Sequence, residues 1–181
     1  MKERIKHLIA FVVLVVLDQG TKYWARTDLQ ENGPVTLISK VLKLLYHENT
    51  GAVWGIMTGK VQLLSIVTSI ILIGMVIIYF KMPKEKKYKP LQWILVAIIA
   101  GAVGNLIDRI ALQYVVDFIY FELINFPIFN IADCYVTISC VLLFVLFLFY
   151  YKEEEVDYLY SMFSRRKNGK SNEKSNETEE N

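Results

Sequence analysis

Long stretches of this sequence contain no charged residue. Residues 61–80, 91–107 and 134–151 carry neither acid nor base, and each is near the ~20 residues that a helix needs to cross the hydrocarbon of a bilayer. A fourth apolar stretch, residues 8–24, is interrupted only by one aspartate and one lysine. The pattern predicts an α-helical integral membrane protein with four transmembrane helices, and it excludes an ordinary water-soluble domain.

The residues that build several common catalytic sites are also scarce. The chain has two histidines, His7 and His47, and their predicted places on opposite sides of the membrane exclude a histidine-based zinc site. Its two cysteines, Cys134 and Cys140, lie in one predicted helix about 9 Å apart along the axis, too far for a disulfide. No metal site and no cofactor is predicted. The net charge of +2, with no basic stripe, gives no indication of a nucleic-acid partner.

Basic residues are distributed unevenly among the predicted loops. Residues 81–90 contain five lysines, whereas residues 25–60 contain four basic residues and residues 110–128 contain none. Basic residues near span ends stay in the cytoplasm, so both termini are predicted inside and the other two loops outside. The basic residues before the first apolar stretch would also suit a cleavable signal peptide, but no A-x-A-like cleavage site follows them. We expect that stretch to remain as helix 1.

Two regions lie outside the four spans. Residues 25–60 have apolar runs between an Asn-Gly-Pro turn signal and a second break at residues 49–51, which is typical of a short antiparallel sheet. We expect a small extracytoplasmic β-sheet inserted between helices 1 and 2, lying on the outer face of the membrane. Residues 152–181 are rich in acids and bases, which predicts a charged, partly disordered cytoplasmic tail after a four-span domain of residues 1–151.

Four aspartates are predicted at one depth, near the outer ends of the spans. They are Asp18, Asp108, Asp117 and Asp133. A charge at mid-membrane costs ~2.5–3.5 kcal/mol on insertion scales and less toward the interface, so each needs a partner or a task. We expect Asp18 to pair with Lys22, four positions later, and Asp108 to pair with Arg109. That assignment leaves the other two aspartates without a basic neighbour.

Two carboxyl groups that meet at the membrane edge can share one proton, because like charges raise one of the two pKa values. The ionised group can then deprotonate a water while the protonated group polarises a peptide carbonyl, as in aspartic proteases. The same acids would suit the proton relay of a transporter, and an interaction protein would use neither role. A serine nucleophile activated by Lys22 is disfavoured, since Asp18 has the spacing to neutralise that lysine. The residues alone leave the protease and the transporter open.

Five motifs decide between these alternatives. They are "LDQGTKYW" at 17–24, "ENTGAVWG" at 48–55, "GAVGNLIDRI" at 101–110, "VVDF" at 115–118 and "FNIADCYVTI" at 129–138. In order and spacing they resemble the signature boxes of lipoprotein signal peptidase, also called signal peptidase II, over roughly residues 5–151. The departures are small: Val53 and Trp54 fill variable positions, and Ala102 stands where glycine is frequent.

The resemblance implies a bacterial membrane aspartyl endopeptidase without a cofactor. Such an enzyme removes the signal peptide from diacylglyceryl-modified prolipoproteins by cutting before the lipidated cysteine. The resemblance places the catalytic aspartates at Asp117 and Asp133, and the active site near the extracytoplasmic face of the cytoplasmic (inner) membrane. The expected partners are the prolipoprotein and membrane lipids, and we expect a monomer.

The other residues of the motifs are given roles by position. Asn105, Asp108 and Arg109 share one helix face, as do Asn130 and Asp133. Four residues are expected to bind substrate or to orient the acids, although helix capping would also explain the asparagines; they are Asn49, Asn105, Arg109 and Asn130. A second group is expected to support the site, the glycine of helix 3 by allowing close helix packing; it comprises Asp18, Lys22, Gly51, Gly104, Asp108 and Ala132. Because Asp133 is near a helix N-terminus, we expect it to be ionised more often than Asp117.

Overall fold

The structure, a computed structural model, describes residues 1–51 and 59–164. Its main elements are four long helices: α1 (Lys2–Trp24), α2 (Val61–Lys81), α3 (Lys89–Leu112) and α4 (Ile131–Val145). α1 continues through a π-helical segment, Ala25–Leu29, and a last turn, Gln30–Asn32. Within these residues, four helical segments are long and apolar enough to cross a membrane, and many of their apolar side chains are exposed, as lipid-facing helices require. The prediction of four transmembrane helices is confirmed.

A three-stranded antiparallel sheet accompanies the helices, in the order β1 (Val35–Ile38), β2 (Leu42–Asn49) and β3 (Val115–Phe121). β1 and β2 come from the predicted loop, so the expected small sheet is confirmed. Its third strand lies between α3 and α4, so a segment outside the predicted loop completes the sheet. The pairing sets His47 of β2 opposite Asp117 of β3.

One face of the sheet is covered by the extension of α1. Ala25 and Leu29 of the π-helical segment pack with Val116 and Phe118 of β3 in one buried cluster. We expected the membrane surface to cover the apolar side chains of this sheet. On one side of the sheet, however, the protein itself buries them. This packing fixes β3, and Asp117 with it, against the end of α1.

Two glycines of α3 allow close contact with neighbouring elements. A Cβ atom at Gly101 would lie 2.6 Å from the carbonyl oxygen of Ala132, and a Cβ atom at Gly104 would overlap the carboxylate of Asp18. Real Cβ atoms do not make such contacts. α1, α3 and the start of α4 therefore meet without intervening side chains at the two glycines.

The chain divides into two compact units, Met1–Leu143 and Phe144–Asn181. The second unit contains the end of α4, a π-helical segment, Leu146–Tyr150, and helix α5, Glu153–Ser164. The first turn of α5 has three glutamates, which the positive end of the helix dipole stabilises. The predicted charged tail thus begins as a helix, and its residues 165–181 lie outside the described part of the chain.

Candidate active site

Asp117 projects from β3 into a buried environment. Its side chain is 1% exposed, and both of its carboxylate oxygens accept hydrogen bonds. Asn49, from the end of β2, donates its side-chain N–H to Oδ2 at 2.8 Å, and Asn130 donates its side-chain N–H to Oδ1 at 2.6 Å. The strand pairing that brings β2 beside β3 therefore also supplies one of the two donors.

Asp133 lies in the first turn of α4, in a reciprocal cap with Asn130. The backbone N–H of Asp133 donates to Oδ1 of Asn130 at 3.1 Å, and the backbone N–H of Asn130 donates to Oδ2 of Asp133 at 3.1 Å. This is the geometry of a capping box, which starts the helix and fixes both side chains. The other oxygen of Asp133 accepts the side-chain N–H of Asn105, from α3, at 2.8 Å.

Asn130 therefore connects the two aspartates. It is fully buried, and it donates its side-chain amide to Asp117 and its backbone amide to Asp133. The acids also interact electrostatically: burial first, and then the charge of Asp133, raise the pKa of Asp117 to about 7. The structure thus brings together two acids that are separated by a strand, a loop and a helix start in the sequence.

A buried lysine binds a second group of polar residues, which lies next to the two aspartates. Lys22 is 2% exposed, and its Nζ lies 2.9 Å from Asp18 and 3.2 Å from Asp108. It also donates to Oδ1 of Asn105 at 2.7 Å, so three acceptors match the three N–H bonds of the ammonium group. The expected pairing of Asp18 with Lys22 is present. The expected pairing of Asp108 with Arg109 is wrong, because Asp108 pairs with the lysine.

The two acids bound to Lys22 also hold backbone next to the candidate catalytic residues. Asp18 accepts the backbone N–H of Ala132 at 3.0 Å, and Asp108 accepts the backbone N–H of Val116 at 3.0 Å. Each of these amides is one residue before a candidate catalytic aspartate. Asp18 therefore ties α1 to the start of α4.

Gln19 also belongs to the hydrogen-bonded group around Lys22. The sequence reasoning missed this residue. Its side-chain amide donates to Asp18 at 3.2 Å, to the carbonyl of Gly104 at 3.1 Å and to Asp108 at 3.0 Å. A signal was available, since an uncharged amide in a membrane span needs a hydrogen-bond partner as an acid does. Gln19 is the neighbour of Asp18, and its bonds link the two acids on α1 and α3.

The remaining predicted residues differ in how closely they approach the pair. The backbone N–H of Gly51 donates to Oδ1 of Asn49 at 2.9 Å, which turns the amide nitrogen of Asn49 toward Asp117. Arg109 is partly buried on α3, and it forms no ion pair within the described residues. Val53 and Trp54, from the second motif, lie outside those residues.

Acidic and histidine side chains do not cluster further in the described part of the chain. Within residues 1–51 and 59–164, no group of three or more His, Cys, Asp or Glu side chains could hold a metal ion. Cys134 and Cys140 are both free thiols. The chemistry that the site offers is that of two carboxyl groups, amide donors and one buried ammonium group.

Replacing Gly104 with alanine is expected to destabilise the protein strongly, because the new Cβ would overlap the Asp18 carboxylate and displace it from Lys22. Gly74 of α2 provides a matched control, since a Cβ there meets nothing within 4 Å. Gly74→Ala should be neutral or stabilising by up to ~1 kcal/mol through helix propensity. Thermal unfolding in detergent checks both, and equal melting temperatures would contradict the close packing.

The four helices and the buried acidic cluster at their ends define a multi-pass membrane enzyme. The chain belongs to the signal peptidase II family, whose residue pattern matches residues 10–149. It is accordingly a bacterial membrane peptidase, and the family resemblance of the five motifs is confirmed.

Several relatives extend over most of the chain. A lipoprotein signal peptidase of Caldanaerobacter subterraneus is 39% identical over 145 residues, which are 78% of this chain and 94% of the relative. Proteins of the same name from Halalkalibacterium halodurans and Lactobacillus gasseri are 38% and 33% identical, and cover 77% and 81% of this chain and 89% and 94% of their own lengths.

Two solved structures have the same fold. One, described as a bacterial membrane enzyme solved by the in meso method at 2.3 Å resolution, is 37% identical with a TM-score of 0.71, and the match covers 79% of this chain and 87% of that one. A second of the same description, at 1.9 Å resolution, is 36% identical with a TM-score of 0.69 and covers 81% and 94%. The helical membrane fold with its small sheet is therefore that of known bacterial membrane enzymes.

Proposed function

We propose that this protein removes signal peptides from diacylglyceryl-modified prolipoproteins, cutting before the lipidated cysteine with Asp117 and Asp133 as its catalytic pair. The observation that carries the proposal is the bridge through Asn130, which hydrogen-bonds both acids. Membership of the signal peptidase II family and the names of the relatives support the substrate class.

The two acids differ in a way that suits two roles. Asp117 is buried and its pKa is raised to about 7, so it holds a proton at and below neutral pH far more often than an ordinary aspartate does. Asp133 is partly exposed, lies in the first turn of a helix and accepts two N–H bonds, which favours a carboxylate. In the proposed resting state Asp117 carries the shared proton and Asp133 carries the charge.

Cleavage then follows from these protonation states. Asp133 takes a proton from a water between the acids as the water oxygen attacks the scissile carbonyl carbon, while Asp117 donates a hydrogen bond to the carbonyl oxygen. When the carbon–nitrogen bond breaks, the proton on Asp133 passes to the leaving amine. No metal takes part. Asn105 and Asn130 keep the carboxyl groups oriented, so that these groups are already close to the geometry that the reaction requires.

We assign substrate contacts to the groups that the acids leave available. Arg109, without an ion pair among the described residues, is placed to bind backbone carbonyls of an extended peptide. The exposed apolar faces of the helices would lie against the acyl chains of the substrate. The uneven distribution of lysines supports cytoplasmic termini and an extracytoplasmic site, and we propose a monomer.

The direct test incubates the purified full-length enzyme with one precursor in lipidated and unlipidated forms. Release of the leader from the lipidated form alone, with the new N-terminus at the modified cysteine, is the expected result. Equal cutting of both forms, or cutting at another bond, would overturn the proposed specificity. Absence of any cutting would overturn the proposed function itself.

Turnover is expected to decrease at alkaline pH, because the proton on Asp117 is lost as pH rises. The midpoint of the decrease should lie near the pKa of Asp117, about 7. The hydrogen bond from Asn49 lowers that pKa. Asn49→Ala should therefore move the alkaline limb to higher pH. Measured rates from pH 5 to 9 would show this, and a limb that stays in place would contradict the assigned proton.

A further inference from the structure

A second site lies at the other end of the helices, far along α1 and α3 from the aspartates. A cavity of about 380 Å³ opens between α1, α2 and α3. Most of its lining is apolar, with two residues from each helix: Leu8, Phe11, Val76, Phe80, Val96 and Ile99. A cavity with such walls suits a hydrocarbon chain better than a polar ligand.

Two of the three polar side chains in the wall of this cavity, those of His7 and Tyr79, bond to each other. His7 is 4% exposed, its Nδ1 forms a hydrogen bond with the hydroxyl of Tyr79 at 2.8 Å, and its ring meets the ring of Trp93 edge-on with 4.4 Å between centroids. Because the imidazole and the phenol form a hydrogen bond with one another, they do not require a polar ligand as a hydrogen-bond partner. The apolar character of the cavity is preserved despite two polar side chains.

A positive charge lies at the cavity, and no carboxylate of the described residues pairs with it. Arg4 lines the cavity, and its guanidinium carbon lies 5.3 Å from the centre of the Phe80 ring. The neighbouring acid, Glu3, is instead 3.5 Å from Lys6 and 3.4 Å from Lys89. Within the described residues Arg4 forms no ion pair, so its charge is available to an anion.

The surrounding chain ends increase the attraction for anions. The segments 1–7 and 81–90 contain eight basic and two acidic residues, and all belong to this end of α1, α2 and α3. Such clusters of basic residues attract anionic lipid headgroups, and basic pockets between membrane helices bind them.

We propose that this cavity is a binding site for an anionic glycerophospholipid, with one acyl chain between the three helices and the phosphate at Arg4. The apolar lining accounts for the acyl chain, and the guanidinium of Arg4, which has no ion-pair partner among residues 1–51 and 59–164, accounts for the headgroup. The site is separate from the aspartates and does not depend on the peptidase reaction. It would hold the ends of α1, α2 and α3 together in the leaflet at that end.

Native mass spectrometry of the full-length protein tests the site with two probes, dimyristoyl phosphatidylglycerol and dimyristoyl phosphatidylcholine. We expect one phosphatidylglycerol to be retained at least fivefold more than phosphatidylcholine. Arg4→Gln should lose that preference, whereas Lys84→Gln, which removes one charge from the same end outside the cavity, should keep it. Equal retention of the two lipids would overturn the site. Equal loss of the preference in both variants would also overturn it, because the preference would then come from the general positive charge of this end of the protein.

The acyl chain is tested by filling the cavity. Val76→Trp adds a large side chain on α2 at a position that is 38% exposed, and Leu8→Trp does so on α1 at 61% exposure. At least one of them should fold, because neither changes a buried core position, and peptide cleavage confirms that the active site is intact. Unchanged lipid retention in a folded variant would contradict a chain in this cavity.

Discussion

Asparagine in place of Asp117 or Asp133 is expected to abolish cleavage of a lipidated precursor while leaving the protein folded in the membrane. Each acid has one proton-transfer role in the proposed reaction, and loss of such a role costs ~10²–10⁴ in rate. Asparagine keeps the size of the side chain but holds no transferable proton of suitable pKa. Turnover of purified protein, normalised to the folded fraction, gives the measurement.

The matched control is an aspartate outside the pair. Asp28 lies on the extension of α1 and accepts a hydrogen bond only from the side chain of Asn32, at 3.1 Å, among the contacts of the described residues. Asp28→Asn should cleave at the rate of the natural protein. Full activity of either Asp117→Asn or Asp133→Asn would refute the two-acid reaction, and joint loss in all three variants would point to a general fault of folding.

The sequence led to Asp117 and Asp133 by an argument whose intermediate step was wrong. Asp108 was paired with Arg109, but neighbouring residues on a helix point about 100° apart and do not face each other. Lys22 neutralises both Asp18 and Asp108. The first pair follows from spacing along α1, whereas the second depends on the packing of α1 against α3 at Gly104, which no spacing along the chain reveals.

Hydropathy predicted the helices well, because a chain that crosses the apolar interior of a membrane must satisfy its backbone hydrogen bonds internally, and a helix does so. Several helices extend beyond the apolar runs that predicted them. α3, for example, begins at Lys89 with a proline in its first turn and ends at Leu112 before a left-handed Gln113 with φ of 66°, whereas the apolar run covers only residues 91–107. Polar residues at both ends continue the helix beyond the hydrocarbon.

β3 could not be located by the same reasoning. Residues 115–121 are β-branched and aromatic, which favours a strand, but a strand needs a partner and β2 is more than sixty residues away in the chain. The consequence for the site was large. The position of Asn49 beside Asp117 depends on that pairing, and sequence reasoning gave Asn49 only a general role in binding substrate or orienting the acids.

Lys22→Met is expected to have the largest effect on stability. The variant leaves Asp18 and Asp108 buried without a cation, and breaking a buried ion pair from one side costs ~3–5 kcal/mol. For a chain of this size the melting temperature should fall by about 10 °C. Lys6→Met, which removes a lysine from an exposed pair with Glu3, should leave the melting temperature unchanged.

A compensated variant separates the charge of Lys22 from its hydrogen bond to Asn105. Adding Asp18→Asn and Asp108→Asn to Lys22→Met removes all three charges, and replacing a whole buried cluster often restores stability. The melting temperature should recover in large part, but Asn105 still lacks its bond from the ammonium group, so cleavage per folded molecule should stay reduced. Recovery of stability and rate together would show that Lys22 only balances charge; a Lys22→Met variant as stable as the natural protein would refute the buried cluster altogether.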